Sequence, residues 1–463
     1  MHQKPKTLSD WKAGLLTAGI ILAITGCSSP KVSLEPTIQL NPSFQSQGNL
    51  VLSEKWWDAL DAPELNEHID TALSGNFTLQ AAWQRLKTAE ALLKRASADT
   101  LPSLDGDANL AYRESDSTDG QVLGGLGLAA GYEIDLWGRI EAQVDAQRFN
   151  REVAFENMQT AALSISSEVA LAWLALVEAQ QRKALLENQI EINANIEEVL
   201  LARFSAGQID SADVLRQRQL IESTRQQLFN AEQRIRIAYN QLNVLKGLAP
   251  GAEPEGEIRI LPTLPALPDP GIPSELIEKR PDVRAAYFEL FADNSELAAA
   301  VANQYPRFNI SGSFSTSSSS IDGLFESWSA SVIGQVAAPL FDGGARRSEV
   351  ERRAAIVREK VATYSQTILE ACQEVEDALA TEQSQEQIFE SLRRELELNE
   401  QSSGQLRARY LNGATDYLSV LTNLRDGQQL QRDILSAQLN LLNNRIGLYR
   451  ALAGNLGPIN LEG

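Results

Sequence analysis

Two stretches of this chain contain neither glycine nor proline, one from Arg139 to Ala206 and one from Ala345 to Ser403. Both are rich in Ala, Leu, Glu, Gln and Arg, residues that lose little side-chain freedom in a helix. A continuous helix over the first stretch would be about 100 Å long at about 1.5 Å per residue, several times the usual globular helix. A helix of that length holds in water only when neighbours pack along it, as in a coiled coil or a barrel of helices.

Each stretch runs into a similar turn and then a second helical pattern. Arg203-Phe204-Ser205-Ala206-Gly207-Gln208-Ile209-Asp210 leads to Asp213-Val214-Leu215, and Arg409-Tyr410-Leu411-Asn412-Gly413-Ala414-Thr415-Asp416 leads to Val420-Leu421. The two glycines stand 206 positions apart (413 − 207 = 206). Each supplies the left-handed residue that closes a helix C-terminus. Asp210 in the first turn, and Thr415 or Asp416 in the second, are the expected N-caps of the returning helices. The repeat extends upstream, where Leu101-Pro102-Ser103-Leu104 matches Tyr305-Pro306-Arg307-Phe308. Asp135-Leu136-Trp137-Gly138-Arg139 loosely matches Phe341-Asp342-Gly343-Gly344-Ala345. The chain therefore divides into two tandem repeats, 64–249 and 274–454. They are joined by a segment, 250–273, that holds seven of the seventeen prolines and reads as an extended linker. Long helical hairpins are expected over 139–246 and 343–453, followed by a tail at 455–463.

Ahead of each long helix the period falls to two. Leu104, Gly106, Ala108, Leu110 and Tyr112 alternate with Asp105, Asp107, Asn109 and Arg113. After a polar turn near Ser115 to Gly120, the residues Leu126, Leu128, Ala130, Tyr132, Ile134 and Leu136 continue the alternation. In the second repeat Phe308, Ile310, Gly312 and Phe314 alternate with Asn309, Ser311, Ser313 and Ser315. Beyond Ser317 to Gly323, Trp328, Ala330, Val332, Gly334 and Val336 repeat the pattern. These are β-hairpins over 102–137 and 306–340, each strand with one apolar and one wet face. Strands of about 9–11 residues are long enough to cross a bilayer at a tilt. Tyr112, Tyr132, Trp137, Phe308 and Trp328 lie towards strand ends, where interfacial aromatics belong. Two soluble hairpins packed on a core would give the same pattern. If the strands do span a membrane, four of them cannot close a barrel, and an open edge in lipid leaves backbone groups unpaired. A dimer would supply eight strands and a filled interior, and a trimer twelve and some lumen. The long helices, which need neighbours, favour the trimer.

At the N-terminus Lys4, Lys6 and Lys12 precede an apolar run from Ala13 to Ile24, the pattern of a signal peptide. The run ends Ile24-Thr25-Gly26-Cys27, which resembles a lipobox, with residues 1–26 as the signal and Cys27 as the acylated (palmitate-type) first mature residue. Ser28 follows, and not the Asp of lipoproteins kept at the inner membrane. Residues 27–63 are expected to be an extended, lipid-anchored segment. Beyond Cys27 no stretch reads as the roughly 20 apolar residues of a spanning helix. The net charge of −20 argues against nucleic acid as a partner. Besides Cys27 the chain has only Cys372, which falls in a helical pattern as a small packing residue, so there is no disulfide framework.

Four motifs then resemble the TolC-like outer-membrane factor family, in its lipid-anchored drug-efflux branch. They are Trp56-Trp57 with Pro63-Glu64-Leu65 and Ala72-Leu73-Ser74-Gly75-Asn76; Tyr132-Glu133-Ile134-Asp135-Leu136-Trp137-Gly138-Arg139; Arg280-Pro281-Asp282-Val283-Arg284-Ala285-Ala286; and Arg409-Tyr410 with Gly413 and Tyr417-Leu418. The resemblance spans essentially the whole mature chain. It implies a mostly α fold with a small β part, forming a homotrimer. Four strands per chain would make a shared twelve-stranded transmembrane β-barrel, and the long hairpins a periplasmic α-barrel. It implies an outer-membrane location with a long periplasmic extension. The partners it implies are a periplasmic adaptor (membrane fusion) protein and an inner-membrane pump, expected to be proton-driven. The adaptor would meet the two turns, at Ala206, Gly207, Gln208, Asn412, Gly413 and Ala414. A periplasmic gate falls at Leu418, Thr422 and Arg425, which share a helical face at spacings of four and three. The family commonly carries an acid where Thr422 stands, and Asp426 is one residue off the face. Asp213 and Tyr410 match positions that hold neighbouring hairpins together at rest.

An enzyme is not expected. Once the signal is removed, His68 is the only histidine, and no nucleophile–base pair or histidine metal cluster can be assembled. No cofactor is expected beyond the lipid on Cys27. No nucleotide-binding motif is present, so transport would be passive. Small-molecule efflux is the first expectation; metal efflux and type I protein or peptide secretion stay open. A coiled-coil scaffold without a pore would leave the four strands unexplained.

Overall fold

The structure is a computed structural model that describes residues 32–36, 38–44, 48–51, 53–116, 118–251, 260–320, 323–454 and 456–457. The signal peptide 1–26, Cys27 and most of the tail 455–463 lie outside the described residues. After a single tight helical turn at Trp56–Leu60 come α1 (Pro63–Gly75), α2 (Phe77–Ala98), β1 (Ser103–Ser115), β2 (Thr118–Ile134), α3 (Arg139–Ser205) and α4 (Ser211–Leu245). Then follow α5 (Pro273–Lys279), α6 (Pro281–Ala302), β3 (Arg307–Ser318), β4 (Trp328–Ala337), α7 (Ala345–Leu411) and α8 (Tyr417–Leu452). The chain is mostly helical with a small sheet. Both long helices are 67 residues long, and α7 runs straight through Gly404.

The chain divides into two compact units. The first contains the sheet, with residues 93–148 and 290–362. All four strands form one antiparallel sheet in the order β1-β2-β3-β4, so the two hairpins join through β2 and β3. The register brings Leu104, Ala108, Leu110 and Tyr112 opposite Ala130, Leu126, Gly124 and Val122. It then sets Leu128, Tyr132 and Ile134 opposite Phe314, Ile310 and Phe308, and those against Ala330, Gly334 and Val336. Directly opposed residues share a face, so one face of the sheet is apolar from edge to edge except at Thr316. The other carries Asp105, Asp107 and Asn109, then Gly125, Gly127 and Gly131 of β2, and Ser311, Ser313, Ser315, Ser329 and Ser331 of β3 and β4, with Leu123 and Ile333 among them. Ser313 and Ser331 meet at 2.9 Å, as do Ser315 and Ser329. β2 starts at Thr118 and runs for 17 residues. The first turn is therefore tighter than the Ser115–Gly120 segment, and the strand longer than 9–11 residues. Gly120, read as a turn residue, is in the strand. Trp137 stacks on Tyr305 at 4.9 Å and donates its Nε1–H to the Pro306 carbonyl at 2.7 Å.

Carboxylates nucleate both long helices in this unit. Asp135 accepts from the backbone N–H of Arg139 (2.7 Å) and Glu141 (2.8 Å). Asp342 accepts from Gly344 (3.0 Å) and Arg346 (3.3 Å). A carboxylate there answers unpaired N–H groups and the positive helix end. The two helices start 206 positions apart (345 − 139 = 206), at Arg139 and Ala345, so the repeat alignment holds while the two acids stand four and three residues ahead of their helices.

The second unit holds 37–92, 149–289 and 363–463. Its core gathers Trp56, Trp57, Leu65, Ile69, Leu79, Trp173, Leu174, Leu242 and Tyr449. Trp56 meets Trp57 edge-on at 5.7 Å and Tyr449 at 5.9 Å, and donates to Ser166 Oγ at 3.2 Å. Within α3 an 18-residue stretch is long and apolar enough to cross a membrane, contrary to the sequence reading, but two-thirds of it is buried. It contributes Val169, Ala170, Trp173, Leu174 and Val177 to this core. Its apolarity answers to packing within the chain. Arg445 is buried against Glu382 at 2.5 Å and also donates to the carbonyl of Ala266 at 2.8 Å. That fastens the segment after 260 to α7 and α8. Cys372 is half-buried, and burial pushes its thiol pKa up.

Candidate functional site

The two hairpin turns close in the same way. Gly207 has φ +72° and Gly413 φ +71°. The N–H of Gly207 donates to Phe204 O (2.8 Å) and that of Gln208 to Arg203 O (2.9 Å). In the second turn Gly413 donates to Tyr410 O (3.0 Å) and Ala414 to Arg409 O (2.8 Å). This crossed pair of bonds satisfies the last carbonyls of the outgoing helix and requires a left-handed residue at the glycine. Nothing lies within 4 Å of where a Cβ would stand on either glycine. Ala206, Gly207, Gln208, Asn412, Gly413 and Ala414 are all exposed. Asp416 caps α8 by accepting from the Ser419 N–H at 3.0 Å and its hydroxyl at 2.7 Å, bonds that hold its carboxyl below the usual range. Asp210 has extended backbone at the start of α4 but makes no side-chain capping bond.

Beneath the turns Leu200, Val214 and Tyr417 form a small buried cluster, with Tyr410 packed against it. The Arg203 guanidinium lies 4.7 Å from the Tyr410 ring centre, and Tyr410 meets Tyr417 at 5.7 Å. Burial raises the Tyr410 hydroxyl, with Arg203 opposing and Asp213 reinforcing the shift. Burial raises Tyr417 further, with Tyr410 and Asp213 adding to it. Asp213 itself pairs with Arg216 at 3.3 Å. Tyr410 and Asp213 are thus brought into one electrostatic neighbourhood, through Arg203 and Tyr417 of the same chain.

Leu418, Thr422 and Arg425 occupy the exposed face of α8, whereas the adjacent Tyr417 is buried. Leu418 is 46% exposed. The Thr422 hydroxyl turns back onto the Leu418 carbonyl at 2.9 Å. Arg425 Nε is 3.9 Å from Asp426, in an exposed pair. Arg425 and Asp426 are then near neighbours in charge although they differ in azimuth.

Sequence reasoning missed a polar ladder that joins α3 and α4 to α8, behind the face that holds Leu418, Thr422 and Arg425. Tyr417 donates to Gln217 at 2.7 Å, and Gln217 donates to the Asn193 carbonyl at 2.7 Å. Asn193 and Gln428 exchange amide bonds at 3.2 and 3.0 Å. Arg432 reaches Gln189 at 2.5 Å, and Arg182 reaches Ser436 at 2.6 Å. Gln189, Asn193, Gln217, Gln428 and Arg432 are all buried. Their only signal is a polar residue recurring on the inner face of a helix that is polar elsewhere too. Such bonds fix one register between helices, because a slip leaves buried amides unpaired.

The arrangement has known relatives. The protein named toluene efflux pump outer membrane protein TtgI, from Pseudomonas putida, is 29% identical over 417 residues, 85% of each chain. The cation efflux system protein CusC of Escherichia coli (strain K12) is 28% identical over 462 residues, 95% of this chain and 99% of CusC. The solved structure of the outer-membrane channel OprN superposes with a TM-score of 0.83 at 25% identity, covering 93% of this chain and all of that one. The profile of the family described as outer membrane efflux protein matches residues 68–248 and 272–454. Those two matched segments contain both long hairpins, both turns and all four strands, and the chain belongs to the outer membrane efflux protein family.

Proposed function

We propose that three copies of this chain close into a duct across the outer membrane. Small molecules, drugs and other toxic compounds among them, would pass through it passively from a periplasmic adaptor and an inner-membrane pump. One observation carries this reading. A single sheet has one face that is apolar from β1 to β4 except at Thr316 and the other mainly polar, and its two outer strands, β1 and β4, have no partner on their far sides among the described residues. In lipid those edges must be paired. Three copies joined edge to edge give twelve strands, with the apolar faces towards lipid and Asp105, Asp107 and the serines towards a lumen.

The remaining roles follow. The lipid on Cys27 tethers the chain to the outer membrane, and the barrel supplies the second attachment that firm anchoring needs. The exposed turns at Gly207 and Gly413 offer backbone to the adaptor. Leu418, repeated by threefold symmetry, closes the bore by packing, with Thr422 and Arg425 as further rings. No ring of carboxylates forms at Thr422. The duct performs no chemistry and needs no resident cofactor. Its two relatives above carry the names of a toluene and a cation efflux system at nearly equal identity, which supports leaving substrate choice to the pump.

The test is to crosslink the native protein in intact cells and identify what is recovered with it. An adaptor with a proton-driven pump supports small-molecule efflux. An adaptor with an ATP-driven exporter moves the assignment to peptide or protein secretion. Recovery of neither removes the efflux role.

A further inference from the structure

In the helical unit a cavity of about 410 Å³ opens between the segment after 260, α7 and α8. Its volume is within the range of small-molecule sites, about 300–1,000 Å³. Leu441 and Leu442, both buried, are among its lining residues, together with Leu264 and the Phe389 ring. Two carboxylates, Glu386 and Glu390, stand in the lining as well. Their situations differ. Glu390 accepts from Arg393 at 3.4 Å, in a pair more than half exposed on both sides. Glu386 is exposed and has no ion-pair partner among the described residues. The cavity therefore carries, at its solvent-exposed mouth, one carboxylate without an ion-pair partner among the described residues beside apolar side chains. The Phe389 ring accepts positive charge in this setting, with the Arg393 guanidinium 5.8 Å from its centre.

A groove that sets leucines and an aromatic wall beside Thr263, Gln438 and one carboxylate without an ion-pair partner selects by charge as well as by shape. A neutral apolar guest would gain nothing from Glu386, which stays hydrated. An anion would meet like charge at Glu386. A cation with an apolar body satisfies both parts, burying its body against the leucines and setting its charge between Glu386 and Phe389. We propose that this cavity is a binding site for lipophilic monocations, organic ammonium or phosphonium ions with an aromatic or aliphatic body. The site goes beyond the exit-duct reading: it binds its ligand in the wall of the helical unit whether or not the assembly conducts.

The experiment is calorimetric titration of the full chain, in detergent, with tetraphenylphosphonium. Tetraphenylborate, which has the same shape and the opposite charge, serves as the control for partition into detergent. The expected result is saturable phosphonium binding at one site per chain and no saturable borate binding. Glu386→Gln is expected to weaken the phosphonium about fivefold, and Phe389→Ala about tenfold. Glu386 is exposed, so its amide variant keeps the fold, which circular dichroism checks. Saturable borate binding of equal strength, phosphonium binding that neither variant changes, or no saturable phosphonium binding would each overturn the site. A chain that conducts yet fails this titration loses the cavity assignment alone.

Discussion

Asn399 and Asn423 clasp each other across the second long hairpin: the Asn399 amide donates to the Asn423 carbonyl at 3.1 Å, and the Asn423 amide donates to the Asn399 carbonyl at 3.4 Å. Gln217 and Asn193 stand at the same separation of 24 residues, Gln217 donating to Asn193 O at 2.7 Å. The two hairpins thus repeat one cross-helix clasp a fixed distance from their turns. In the second hairpin the clasp sits on a glycine. A Cβ on Gly427 would come within 2.4 Å of Asn399 Oδ1. Gly427→Ala is expected to destabilise the protein by about 1–3 kcal/mol. Asn399→Ala alone should cost about 1 kcal/mol. The double variant should be less destabilised than the sum, because the added methyl no longer collides with the amide. Denaturant titration of the four proteins reads this directly, and strict additivity would remove the steric explanation.

Gly207 and Gly413 have free space around them, so substitution there tests backbone conformation alone. Alanine in the left-handed region costs about 1–2 kcal/mol. Either variant is expected to speed amide exchange at Gln208 or Ala414 and in the last turn of the preceding helix, while the core around Trp56 keeps its protection. Unchanged exchange in those turns would contradict the closing geometry.

The Tyr410 hydroxyl is buried without a hydrogen-bond partner, whereas its ring carries Arg203. Tyr410→Phe is expected to be neutral or slightly stabilising. Arg203→Ala removes the cation over the ring and should cost about 0.5–2 kcal/mol locally. Thermal melts of the two variants, with exchange at Tyr417 as the local readout, distinguish ring packing from hydroxyl bonding. A Tyr410→Phe variant weaker than Arg203→Ala would reverse the assignment.

Glu156 is fully buried, and desolvation raises its pKa above the carboxylate norm, while Arg284 at 2.7 Å pulls the other way. Its folded value lies above its unfolded one, so between the two the folded state binds more protons. Stability then falls as pH rises through that window and recovers as pH falls through it, the reverse of an ordinary ion-paired acid. Glu156→Gln is expected to remove this contribution, leaving stability at neutral pH equal to or above that of the parent. Melts from about pH 4.5 to about pH 8 follow it, since free Glu titrates near 4.3. A variant markedly less stable at neutral pH would show that the ion pair outweighs desolvation.

Much of this fold was legible because its signals are local. The absence of Gly and Pro over α3 and most of α7, the glycines at 207 and 413, and the alternation of Leu104 to Tyr112 each follow from backbone preference. What stayed hidden depends on contacts between distant residues. Arg445 and Glu382 look like any charged pair on polar helices, yet both are buried. The Gln189–Arg432 and Asn193–Gln428 contacts join positions more than two hundred residues apart, and no periodicity marks them. The apolar run of α3 is ambiguous for the same reason, since a core helix and a spanning helix share composition and differ only in what surrounds them. The gate role expected for Leu418, Thr422 and Arg425 rests on resemblance alone, and the structure shows only that the three share an exposed face of α8.

Single-channel recording in planar bilayers tests the proposed duct most directly. Purified full-length protein and a Leu418→Ala variant would be compared after native mass measurement. The expected result is a mass of three chains for both. Unitary current steps should be of uniform size, and more frequent or larger in the variant, whose closing ring has been trimmed. Three-chain assemblies that leave the bilayer silent in both proteins would contradict a duct, as would a particle that contains a single chain.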